Sequence, residues 1–146
     1  MRGGKFFLDT NVFIYAFDKG QALKQKRSLA LIEEAIRTGQ GLISYQVIQE
    51  FLAVAIRKFP NVLSQEECLK WMEKVLSPLC EHYPSSDFYV RALKTMQRGG
   101  WSFYDSLIIQ AAIDQQCSIL YSEDLQHGRV IEGMKIQNPY LALGKG

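Results

Sequence analysis

Four carboxylates in this sequence stand at points where the chain is set to change course. Asp9 closes the apolar run Lys5 to Leu8, and Glu50 lies in the first two turns of a helical pattern that begins near Tyr45. Asp105 lies in the first turn of another helical pattern after Ser102, and Asp124 follows the apolar stretch Ile119 to Tyr121. Carboxylates gathered in one place repel, and each is driven toward protonation unless a cation compensates. Mg²⁺ or Mn²⁺ suits such an oxygen donor set, and two such ions roughly 3.5–4 Å apart can clamp the attacking and leaving oxygens of a phosphodiester. The chemistry expected is metal-assisted phosphodiester hydrolysis.

Each acid also has a plainer use. Asp9 suits a helix N-cap, Glu50 a solvated boundary position, and Asp124 a surface turn, while Asp105 completes the capping box Ser102-Phe103-Tyr104-Asp105. Local context weighs against these uses for two of them. Glu50 falls at the margin of its helix's apolar stripe, flanked by Val47 and Val54. Asp105 opens a helix that is apolar on nearly every side, Leu107 to Ile113, with no lysine or arginine within six residues.

The elements needed to bring these acids together can be read from periodicity. Lys5 to Leu8 shows no alternation and suits a strand buried on both faces, as in a parallel sheet. Further short strands are expected at Leu42–Ile43, Leu79 to Tyr83, Ser118 to Tyr121 and Met134 to Gln137. Helices are expected at Asn11 to Phe17, Gln21 to Thr38, Tyr45 to Arg57 (ended by Pro60), Ser64 to Leu76, Ser86 to Arg98, and from Ser102 to about Gln116. This alternation predicts an α/β domain with a mainly parallel sheet and helices on both faces. Ligands in such sheets sit beyond the carboxyl ends of the strands, which is where Asp9 and Asp124 fall and where Glu50 is brought by the helix after the second strand.

Composition excludes several alternatives. The 146 residues are 47% apolar and 22% charged, which fits one globular domain over residues 1–146 and not a disordered chain. A net charge of +2 gives no bulk attraction to nucleic acid, so an anionic partner must be drawn by local clusters. Cys68, Cys80 and Cys117 are odd in number and widely spaced, which suits a reducing cytoplasm better than a disulfide frame or zinc site. No signal-peptide pattern and no run of 18 apolar residues occurs, so neither secretion nor membrane spanning is expected.

In order and spacing, "FLDTNVFIYAF", "SYQVIQEFLAVA", "WSFYDSLIIQAA", "ILYSEDLQHG" and the closing "IQNP" resemble the PIN-domain family, most closely its small VapC-type toxin ribonucleases. The resemblance implies a three-layer sandwich, with a parallel sheet of four to five strands flanked by helices. It also implies a Mg²⁺- or Mn²⁺-dependent endoribonuclease in which activated water attacks phosphorus without a covalent intermediate. Asp9, Glu50 and Asp105 match the family's three most regular acids and Asp124 its more variable fourth. Asn11 matches the asparagine after the first acid, and Ser122 a small hydroxyl residue that orients the site. Ser106 stands where the family usually has alanine, and the segment Asn61 to Ser86 is longer than in many toxins. The family further implies a homodimer and a small antitoxin protein that occludes the acidic site.

Arg91, Lys94 and Arg98, at i, i+3 and i+7 of one helix, offer an RNA backbone a path toward the acids, although a plain solvated face explains them at least as well. Trp101 and Tyr104 flank Asp105 as stacking candidates, with core packing the alternative. His82 and His127 are isolated. Two other functions share the fold class: an aspartyl-phosphate phosphatase using Asp9, which would want an acid where Asn11 stands, and a non-catalytic interaction module.

Overall fold

The computed structural model describes residues 4–58 and 62–143. Pro60, expected to end a helix, lies outside the described residues. The chain runs β1 (Phe6–Leu8), α1 (Thr10–Tyr15), α2 (Ala22–Thr38), β2 (Gly41–Ser44), α3 (Tyr45–Lys58), α4 (Gln65–Trp71), a π-helical turn (Met72–Leu76), α5 (Ser77–Leu79) and β3 (Cys80–His82). It continues with α6 (Ser86–Gly99), α7 (Phe103–Asp114), β4 (Ile119–Tyr121), β5 (Val130–Ile131) and β6 (Met134–Gln137).

Among the described residues one sheet forms, in the order β3-β2-β1-β4-β6-β5. Its first five strands are parallel, and β5 pairs antiparallel to β6. Every side chain of β1 and β2 is buried, as strands covered on both faces require. Phe7, Leu8, Ile43, Leu120 and Ile136 from the strands meet Phe13, Phe51 and Ile109 from the helices in one core. The α/β class and the flanked parallel sheet agree with the sequence expectation.

Two details differ from it. The sheet has six strands, because Glu132-Gly133 makes a two-residue hairpin, with φ of 47° and 83°, that turns Val130–Ile131 back along β6. Such turns need positive φ at both central positions, which glycine adopts freely. The helix expected over Ser64 to Leu76 stays regular only to Trp71. Its capping box at Ser64 and Glu67 is complete, but the ladder then widens so that Ser77 N–H bonds Met72 O. Pro78, which lacks an amide hydrogen, sits just beyond.

What matters for function is the shared edge. Asp9 N–H donates to Tyr121 O at 3.0 Å, so the chain leaving β1 is fastened to the end of β4. The residue after β2 is Tyr45, which starts α3 directly. Three chain segments therefore leave the sheet side by side.

Candidate functional site

Asp9 caps α1. Its Oδ1 accepts from Thr10 N–H at 2.7 Å and its Oδ2 from Ser122 Oγ at 2.8 Å. The capping use and the site use are thus the same placement: the cap fixes the carboxylate at the sheet edge. Glu50 projects from α3 toward the same place, where Thr10 Oγ1 donates to its Oε1 at 2.6 Å and Gln46 Nε2 to its Oε2 at 3.0 Å. Asp124 accepts from Asn11 Nδ2 at 2.9 Å.

Asp105 behaves differently from the capping box expected of it. Ser102 Oγ accepts from Asp105 N–H at 3.2 Å, but the carboxylate does not return the bond and, among the described residues, takes no hydrogen bond. It faces a cavity of about 400 Å³ whose walls include Asp9, Asn11, Glu50, Asp105 and Asp124 together with Thr10, Gln46 and Tyr104. Among the described residues no lysine or arginine lines that cavity.

The electrostatic result is visible at Asp9, which is only partly solvent-accessible. Burial pushes its carboxyl up to about 6, against the hydrogen bonds from Ser122 and Thr10, while the charges of Glu50 and Asp124 push the same way as burial. Among the described residues lining the cavity, none supplies a counter-charge to this carboxylate. Among the described residues no three acids already stand close enough to cage one ion. That arrangement still fits Mg²⁺ or Mn²⁺, because Mg²⁺ keeps several waters and takes only one or two protein carboxylates. The donors are hard oxygens, with no cysteine or histidine in the wall.

The basic stripe lies elsewhere. Arg91 makes a bidentate pair with Asp114, at 3.1 and 2.7 Å. Arg98 reaches Glu132 at 3.1 Å, in the turn before β6 and so at the end of the sheet opposite the acids. Lys94 is exposed and, among the described residues, has no ion-pair partner. Trp101 packs against the core, with the Arg129 guanidinium 4.0 Å from its ring centre. A Cβ on Gly99 would stand 1.7 Å from that ring, so glycine is required there. Tyr104, 65% exposed, is the aromatic side chain that does line the acidic cavity. His82 lies 3.6 Å from Asp114, and His127 Nδ1 accepts from Asn138 N–H at 3.0 Å.

Sequence reasoning overlooked Thr10 and Gln46. Gln46 had a usable signal, since it stands four residues before Glu50 on one helix face. It also overlooked a clamp on the loop that carries Ser122 and Asp124: Glu123 between them accepts from Tyr15 Oη at 2.6 Å and pairs with Lys24.

A PIN domain family model matches residues 6–132. The chain belongs to the PIN domain family. No curated protein matches the sequence, but solved structures share its PIN fold. A toxin–antitoxin complex from Klebsiella pneumoniae aligns with a TM-score of 0.65 at 18% identity, covering 93% of this chain and 98% of that one. VapC20 of Mycobacterium tuberculosis, a sarcin-ricin loop cleaving toxin, aligns at 0.59 and 15% identity over 82% and 90% of the two chains. DNA-bound VapBC from Salmonella typhimurium aligns at 0.59 and 21% identity over 93% and 98%. At these identities the likeness concerns the PIN fold alone.

Proposed function

We propose that this PIN domain is a divalent-metal-dependent endoribonuclease and the toxin of a toxin–antitoxin pair. The observation that carries the proposal is the convergence of Asp9, Glu50, Asp105 and Asp124 on one cavity that, among the described residues, holds no basic side chain. Four clustered carboxylates are a cost to the fold unless a cation is bound there. Mg²⁺ or Mn²⁺, as one or two ions, would be held by one or two of these acids each, with water completing the shell. When bound, it neutralises charge at the phosphodiester and activates water for attack on phosphorus.

The remaining work belongs to the chain. Thr10 and Gln46 fix both oxygens of Glu50, Ser122 and the Thr10 amide fix Asp9, and Asn11 fixes Asp124. Donors of this kind orient metal-binding carboxylates and keep their lone pairs aimed. Asp105, which carries no such bond among the described residues, is free to turn toward an ion. Asn11 is committed to Asp124 through its amide, which favours a ligand-orienting role over a phosphatase acid.

The toxin assignment draws on the neighbours, which include toxin–antitoxin complexes, some of them DNA-bound. We extend it to a small antitoxin partner and a homodimer acting in the cytoplasm. Among the described residues no helix is long and apolar enough to cross a membrane. The test is cleavage of single-stranded RNA by purified protein with Mn²⁺, abolished by EDTA. A chain that takes up no Mn²⁺ near millimolar concentration in calorimetry is instead a non-catalytic interaction module.

A further inference from the structure

Beside the acidic cavity lies a second one, of about 370 Å³, bounded by the end of β2, the starts of α3 and α7, and the segment around α6. Gln46 and Tyr104 line both, so the two cavities form one continuous surface. Its walls are aromatic. Tyr45, Phe103 and Tyr104 are 40%, 39% and 65% exposed, and Phe88 and Tyr89 close the far side. The Phe103 and Tyr104 rings meet edge to face with centres 5.2 Å apart.

One polar group in this wall is unexplained by the fold. Ser44, the last residue of β2, is 3% exposed, lines the cavity, and among the described residues its Oγ has no hydrogen-bond partner. A buried hydroxyl left unpaired costs about 1–3 kcal/mol, so a ligand group able to pair with it would be favoured here. Aromatic faces with one or two convergent polar groups are what an unpaired base uses: the rings stack on it and the polar group reads its edge.

We propose that this second cavity receives an unpaired nucleobase of the RNA whose phosphate lies in the acidic cavity, and that Ser44 reads that base. The inference rests on the ribonuclease reading. Continuity through Gln46 and Tyr104 favours a base over a second copy of the chain, because an RNA strand entering one cavity extends directly into the other.

The test uses the full chain with Mn²⁺ and short single-stranded RNA, either randomised in sequence or carrying one abasic ribonucleotide at successive positions. The wild type is expected to show a base preference at one position near the cleaved bond and about a tenfold loss when that position is abasic. Ser44→Ala, a small change in a tight site, should weaken the preference about tenfold without lowering the melting temperature. Phe103→Ala should lose the sensitivity to the abasic position. If the wild type cleaves RNA but intact and abasic substrates are cut alike, or Ser44→Ala keeps the full preference, the base site is overturned and the ribonuclease stands. If the wild type cuts no RNA, the ribonuclease reading falls and takes the base site with it. If Phe103→Ala converts a dimer to a monomer by light scattering while base preference is kept, the cavity belongs to an interface between copies and the proposal is wrong.

Discussion

Thr10 Oγ1 donates to Glu50 Oε1 at 2.6 Å, joining the residue after Asp9 to an acid forty positions away. Thr10 is 7% exposed, so the bond is shielded from competing water. Through it α1 and α3 hold one acid while the same residue's backbone N–H holds another. Thr10→Val keeps the shape and removes the donor. It should weaken Mn²⁺ binding about tenfold, at the lower end of what loss of a ligand-orienting partner costs, with little change in secondary structure. Titration calorimetry beside circular dichroism checks both halves.

Asp9→Asn should stabilise the metal-free protein while abolishing cleavage. The sign follows from the carboxyl at about 6 in the fold against 3.8 for an unperturbed group. The folded state then binds the extra proton between about pH 4 and pH 6, so stability is highest below that window and is lost as pH rises through it. At pH 7.5 the penalty is on the order of 3 kcal/mol, and the neutral amide removes most of it. Thermal melts in EDTA at pH 4.5 and 7.5 should show the variant gaining more at the higher pH. Added Mn²⁺ should raise the melting temperature of the wild type and leave the variant nearly unmoved.

Ser122→Ala removes a hydrogen bond that lowers the Asp9 carboxyl. Asp9 then holds its proton to higher pH, and the acidic limb of the cleavage profile should move the same way. A profile of kcat/KM from pH 5 to 9 is the measurement. Activity lost equally at all pH values would mean that Ser122 serves the fold and not the carboxylate.

The acids were legible in the sequence because each sits next to a strong local signal: a buried strand before Asp9, a capping serine before Asp105, apolar helical spacing around Glu50. Their supporting donors were harder to read. The bond from Thr10 to Glu50 and that from Asn11 to Asp124 cross 40 and 113 residues and exist only once β1, β4 and α3 share an edge. The hairpin that creates β5 was missed because two residues of strand give no measurable alternation; Gly133 after Glu132 was its only mark. The basic stripe on α6 kept its helical spacing, but spacing does not reveal that Glu132 and Asp114 answer two of its three charges.

Arg91→Ala should therefore act on stability and not on RNA. Its guanidinium is 47% exposed, so the pair with Asp114 is worth about 1 kcal/mol after solvent screening. A fall of about 3 °C in melting temperature is expected. The slope of RNA affinity against salt should stay as in the wild type, whereas a lost phosphate contact would reduce it by about one.

The four acids are proposed to form one metal-dependent ribonuclease site. The most direct test follows cleavage of single-stranded RNA in Mn²⁺ by the wild type and by Asp105→Asn, the variant of the acid that takes no hydrogen bond among the described residues and so disturbs the fold least. The wild type should cut, EDTA should stop it, and the variant should be at least a hundredfold slower while melting like the wild type. Cleavage by a folded Asp105→Asn chain at the wild-type rate would contradict the site.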